Sequence, residues 1–166
     1  MKIKATFRFL EKDQVGNVLP DLFQIYYENM EKITPFPQPY ETEKQQRLEE
    51  VGNALKKDAR QIVLIFLRNE LVGFMMYYVN PERLMIEELQ IKESCRYQGI
   101  PYFLGRFILE RIGEKPQYVE GFAHPQNHHS RKIMAHLGME KVGQAQQGTL
   151  CHYRGELTRA SKKVAR

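Results

Sequence analysis

Between residues 84 and 138 strand-like and helix-like patterns alternate, and that order excludes most folds. Residues 84–92, containing MIEELQI, read as a strand, and about 101–113 reads as a helix. YVEGFAH (118–124) is a second short strand, and about 127–137 is helical again. A strand, a helix and a strand in succession imply a crossover that leaves the two strands parallel. The flanking regions differ. QIVLIFLRN (61–69) and ELVGFMMYYVN (70–80) are two apolar runs hinged at Arg68-Asn69-Glu70, and EKVGQAQ with TLCHYRGEL make a closing strand pair. Both read as antiparallel hairpins. The expected fold is α/β (α+β): a mixed, mostly antiparallel central sheet with helices on both faces.

The N-terminal part supplies a strand and two helices. KIKATFRFL (2–10) alternates, with Ile3, Ala5, Phe7 and Phe9 on one side. A helix is expected over about 17–32, with Val18, Leu22, Ile25 and Met30 on one face and Asn17 as its cap. TPFPQPY (34–40) ends it, because its closely spaced prolines hold the backbone extended. A second helix follows over about 42–58, with Leu48, Val51 and Leu55 at helical intervals. No repeat, low-complexity tract or internal linker divides the chain. Residues 1–157 therefore read as one domain, and the basic TRASKKVAR (158–166) as a solvated, frayed tail.

With 166 residues, 42% of them hydrophobic, the chain can bury one core of its own. No run approaches the roughly 18 apolar residues of a spanning helix, and MKIKATFRFL alternates where a signal peptide would be continuously apolar. A cytoplasmic protein with no membrane partner is expected. Cys95 and Cys151 lack metal-ligand spacing and read as free thiols. Lys and Arg outnumber Asp and Glu by 25 to 20, a balance that favours anionic ligands without choosing among them. Nucleic acid is the weaker choice, since no basic stripe interleaved with aromatics stands out.

After the strand ending at residue 91 comes RYQGIPYFLGRF (96–107). A turn between a strand end and a helix start exposes unpaired N–H groups at the positive end of the helix dipole, where phosphate binds well. Arg96 could add a charge-assisted contact, and Gly99 would let a ligand approach the backbone. Pro101, read as the first helical residue, suits that position but offers no N–H to a phosphate.

The order of elements and two motifs make the sequence resemble the GNAT (Gcn5-related) N-acetyltransferases. The first motif is Glu88-Leu89-Gln90-Ile91 followed by Arg96-Tyr97-Gln98-Gly99-Ile100-Pro101, in register with the family's ELxV strand end and its Q/R-x-x-G-x-G/A turn. The second is NHHSRKIMAHLGM (127–139), in which Asn127, Ser130, Ile133, Leu137 and Gly138 fall in step with the family's N-x-x-A-x-x-L-Y-x-x-x-G-F ending. The resemblance is clear over 61–146 and topological before it. It implies that the two parallel strands splay apart at their C-terminal ends to admit acetyl-CoA. The pantetheine would pair with the backbone of Leu89 and Ile91, and the pyrophosphate would lie on Arg96, Tyr97, Gln98, Gly99, Ile100 and Tyr102. Asn127, with Ser130 in the same motif, would reach the pantetheine arm.

It also implies an N-acetyltransferase acting on a primary amine of a small molecule or a protein. At neutral pH such an amine must lose a proton before it attacks. Glu88 is the expected base, directly or through water, and Glu87, on the opposite face of the strand, is the fallback. Backbone N–H groups would polarise the carbonyl. The family's acidic tyrosine is replaced by Met134, whose thioether cannot donate a proton. Tyr153, Tyr102 and Cys95 are the replacement candidates, with Tyr153 preferred. Alternatively the thiolate leaves unprotonated, or the chain binds acyl-CoA as a catalytically weak regulator. A homodimer is left open.

Three further features complete the reading. His124, His128 and His129 cluster in HPQNHH, but Pro125 breaks the spacing and no Cys or carboxylate completes a metal set, so no metal is expected. TPFPQPY would form a stiff rim of the acceptor site, with Phe36 or Tyr40 stacking on a substrate, or else a plain connector. FMMYY (74–78) reads as core.

Overall fold

A computed structural model describes residues 4–57 and 59–165. Ile3, at the start of the expected first strand, and Asp58 and Arg166, which end the expected second helix and tail, lie outside the described residues. The strands are β1 (Ala5–Phe9), β2 (Gln61–Leu67), β3 (Glu70–Val79), β4 (Arg83–Ile91), β5 (Tyr118–Ala123), β6 (Glu140–Ala145) and β7 (Leu150–Glu156). The helices are α1 (Val15–Met30), α2 (Tyr40–Lys57), α3 (Ile100–Leu109), α4 (His128–His136) and α5 (Leu157–Val164). The strands form one mixed sheet in the order β1-β2-β3-β4-β5-β7-β6, in which β4 and β5 run parallel.

Two compact units share the chain: one comprises the stretch up to Met76 with Leu89–Arg96, the other Tyr77–Glu88 with the stretch from Tyr97 onward. In the first, β1 pairs antiparallel with β2, and its alternation leaves Ala5, Phe7 and Phe9 half-buried while Thr6 and Arg8 are exposed. Leu19 and Leu22 of α1, Val51 of α2, Ile62 and Leu64 of β2 and Phe74 and Met76 of β3 form its core, with Val18, Leu48 and Leu55 packed against it. Arg68 and Asn69, at φ of 50° and 67°, make the tight turn between β2 and β3 that a two-residue hairpin requires. Asn17 does not cap α1. The helix starts two residues earlier behind a short 3-10 turn at Lys12–Gln14, which makes Gln14 the cap and places Asn17 inside the helix.

In the second unit β5 pairs antiparallel with β7, and β7 with β6. The expected frayed tail is instead helix α5, anchored by buried Leu157, Ala160 and Val164 at helical spacing. Val164 packs on Gly105 of α3, so closely that a Cβ added there would stand 3.2 Å from its Cγ1. Arg106 of α3 donates to the Val164 carbonyl at 3.0 Å, satisfying one of the acceptors that a helix end leaves unpaired.

Candidate active site

The backbone pairing of the two parallel strands ends before either strand does. Parallel pairing of β4 with β5 runs from Arg83 and Tyr118 to Ile86 and Gly121, whereas β4 itself continues to Ile91. Glu87 and Glu88, just past the last pair, are both half-buried.

The turn entering α3 is built on a left-handed glycine. Gly99 caps the helix at φ 74° and ψ 8°, a left-handed conformation natural to glycine. Its carbonyl accepts from the N–H of Tyr102 at 3.1 Å and of Phe103 at 3.4 Å, so the Tyr102 amide is engaged within the helix. The amides of Gly99 and Ile100 precede the first helical bond and need a partner from outside the helix. Pro101 is the second helical residue, one place later than expected, because α3 begins at Ile100. It still lies in the first turn, where no intrahelical bond is lost. Tyr97 also has a left-handed backbone, at φ 63°, although it is not glycine.

Helix α4 begins beside this turn. Asn127 is its cap, with Oδ1 accepting from the Ser130 N–H at 3.1 Å, so the amide nitrogen is the end of Asn127 left to face a ligand. The rings of Tyr97 and His129 meet edge to face at 5.3 Å, and those of Tyr102 and His136 at 5.9 Å. Burial raises the Tyr102 phenol above its ordinary range. His124 Nδ1 accepts from the N–H of Gln126 at 3.1 Å. Among the described residues no three His, Cys, Asp or Glu side chains form a metal-binding group.

Tyr153 is buried on β7, paired in register with Gly121 of β5. Met134 of α4 lies over the same glycine, its Cε 3.2 Å from where a Cβ would stand. Arg131, one turn earlier on α4, donates Nε–H to the Tyr153 hydroxyl at 3.3 Å and Nη1–H to the Pro125 carbonyl at 2.8 Å. The phenol oxygen thus accepts from a guanidinium and keeps its own proton to give. Arg131 was not singled out from the sequence, where nothing connects it to a tyrosine so far along the chain. The second unit therefore gathers the Tyr97–Tyr102 turn, Asn127, Ser130 and Tyr153 about α4.

The first unit holds Leu89, Ile91, Arg96 and Cys95. The Lys92 N–H bonds the Val72 carbonyl of β3 at 2.8 Å, so alternation along β4 turns the Ile91 N–H away from β3. The Ile91 carbonyl accepts from Arg96 Nε at 3.1 Å and from Asn29 Nδ2 at 3.1 Å. Arg96 is thereby fixed through Nε, and contact with an anion falls to its terminal nitrogens. Buried Asn29 of α1 also donates to Gln90 Oε1 at 2.9 Å, which locks the end of β4. Cys95 is a half-buried free thiol. In TPFPQPY, Phe36 stacks on Tyr27 with centroids 4.5 Å apart, and Tyr40, the first residue of α2, meets Tyr27 and Phe23 edge-on at 4.8 and 5.3 Å.

Compared with known proteins, residues 19–139 match the family model for the acetyltransferase (GNAT) family. No curated protein sequence matches the chain. Its fold is similar to that of an acetyltransferase from Thermus thermophilus, with a TM-score of 0.69 and 17% identity over 93% of this chain and 98% of the other. It is similar also to the PaiA N-acetyltransferase of Thermoplasma acidophilum in complex with coenzyme A, with a TM-score of 0.66 and 12% identity over 93% and 99%. An N-acetyltransferase from Staphylococcus aureus gives 0.65 and 17% over the same shares.

Proposed function

The chain belongs to the acetyltransferase (GNAT) family and is an acyltransferase, and from that premise we propose that it transfers an acetyl group from acetyl-CoA to a primary amine. The observation that carries this reading is the opening of the β4–β5 pairing beyond Ile86 and Gly121 in a unit that also presents the left-handed Gly99 turn. Strand C-termini that diverge are where open α/β sheets take ligands, and the turn offers the Gly99 and Ile100 amides to a pyrophosphate. The complex of the Thermoplasma protein with coenzyme A supports the same choice of co-substrate.

Acetyl-CoA would supply an activated acyl carbon and a thiol leaving group. Leu89 and Ile91 would hold the pantetheine through their backbone, Asn127 through its amide nitrogen and Ser130 through its hydroxyl. Glu88 takes the proton of the ammonium, freeing the nitrogen lone pair that forms the new C–N bond. As the C–S bond breaks, Tyr153 gives its proton to sulfur, the nitrogen sheds its second proton to solvent to leave the neutral amide, Glu88 releases the first to solvent, and Arg131 stabilises the tyrosinate until solvent reprotonates it. Tyr153 thus takes the part that the methionine at residue 134 cannot perform. Phe36 and Tyr40 are held in the aromatic cluster of α1, and a rim built from such fixed rings would suit an acceptor. We read the protein as cytoplasmic.

The test is thiol release from acetyl-CoA across a panel of primary amines. Release that depends on an amine is expected, and Glu88→Gln should lower kcat about 100-fold. Tyr153→Phe should lower it by less, since a thiolate leaves readily unprotonated. Binding of coenzyme A with no release for any amine would replace catalysis with acyl-CoA binding alone. Unchanged kcat in Glu88→Gln would remove Glu88 from the mechanism.

A further inference from the structure

Tyr97 combines three properties that folding alone does not require. It is 87% exposed, the most exposed of the large hydrophobic residues in the described chain. Its φ of 63° is one that a bulky side chain rarely adopts. Its ring is nonetheless held, edge to face, by His129 at the start of α4, with centroids 5.3 Å apart and planes at 75°. Strain persists where the surroundings enforce it, and it gathers at ligand clamps. Burial gives no return here, because nearly all of the ring faces water.

We propose that Tyr97 is a stacking plate for the adenine of coenzyme A, with His129 bracing it. The proposal rests on the reading of the Gly99 turn as the pyrophosphate site. Residues 97 and 99 are two virtual bonds apart, so their Cα atoms lie within about 7.6 Å of each other. A base joined to that pyrophosphate by one ribose is therefore within reach of the ring. With the residue 87% exposed, a flat surface of the ring away from His129 meets water, and a flat aromatic ring in water is what a purine stacks on. The left-handed backbone serves the same purpose, since the chain turns sharply to offer the Gly99 amides to phosphate while the ring before them stands outward.

The experiment is calorimetric titration of the wild type, Tyr97→Phe and Tyr97→Gly with three probes: coenzyme A, adenosine 3′,5′-bisphosphate and 4′-phosphopantetheine, which lacks the adenine. Glycine accepts the left-handed φ, so this variant is not destabilised at the backbone. Tyr97→Gly should weaken coenzyme A and the bisphosphate about tenfold and leave 4′-phosphopantetheine unchanged. Tyr97→Phe should bind all three as the wild type does. Coenzyme A affinity within twofold of wild type in Tyr97→Gly, or an equal loss for 4′-phosphopantetheine, would overturn the stacking role. A wild type that binds no probe would overturn the pyrophosphate reading itself, and with it this proposal.

Discussion

At the scale of single residues, the largest electrostatic commitment is Glu120. Its side chain is fully buried on β5, where Arg83 Nη1 stands 3.3 Å away, Arg154 Nη2 2.6 Å and His152 Nε2 3.0 Å. Arg154 lies directly opposite in the antiparallel register, and Arg83 faces the neighbouring Tyr118, so the sheet itself assembles the group. Phe122 stacks on His152 at 4.7 Å and Arg154 lies over Tyr118 at 4.7 Å, which screens the carboxylate from water. Removing the negative charge would leave two half-buried arginines facing a neutral, fully buried group. Glu120→Gln should cost about 3 kcal/mol in urea unfolding. A midpoint near that of the wild type would mean the cluster contributes nothing net. In YVEGFAH this glutamate looks like any strand residue, because its partners arrive from β4 and β7, far along the chain. The places of Gly99 and Asn127 at helix starts were legible, since a helix start is a local pattern. The link between Arg131 and Tyr153 was not, because it depends on how α4 lies over β7.

Elements show the same division between local and distant causes. The β2–β3 hairpin could be read from its apolar runs, and FMMYY from its hydrophobicity; Phe74, Met75, Met76 and Tyr77 are indeed buried. Helix α5 was missed because its charge suggested a tail, while its apolar stripe consists of Leu157, the small Ala160 and Val164. What makes it a helix is docking against α3 through Gly105 and Arg106, a tertiary effect on a segment too short to be helical alone. Two substitutions separate a docked helix from a frayed tail. Leu157→Ala, at a position 3% exposed, should cost about 3 kcal/mol. Lys162→Ala, on the exposed face, should change stability by no more than about 0.5 kcal/mol. Thermal or urea unfolding checks both, and equal small effects would return the segment to the tail.

For the molecule as a whole, the order of elements was written in the hydrophobic periods, but the grouping into two units was not. Leu89–Arg96 belongs with residues far earlier in the chain, and no local pattern marks that allegiance. A property that sums over both units is stability against pH. On the acid side, Lys92, Arg83 and Lys32, each through a hydrogen bond first and its charge second, hold the carboxyls of Glu70, Glu82 and Glu93 below their ordinary range. Depressed carboxyls contribute stability that is present above about pH 4.3 and is lost as pH falls through the folded value. All three are exposed, so this arm should be shallow. On the alkaline side burial, as the leading cause, raises the phenols of Tyr77, Tyr102 and Tyr40. For Tyr77 the Arg111 charge opposes the rise, and for Tyr40 the charges of Glu41 and Glu28 add to it. A raised phenol stays neutral in the folded chain after it would ionise in the unfolded one. Its contribution is full below about pH 10 and is lost as pH climbs toward the folded value. Melting temperatures should therefore hold level from about pH 5 to 9 and fall more steeply above pH 10 than below pH 4. Tyr77→Phe keeps the buried ring and removes the ionisable group, so it should flatten the alkaline fall. An alkaline slope identical to that of the wild type would trace the fall to groups other than this phenol.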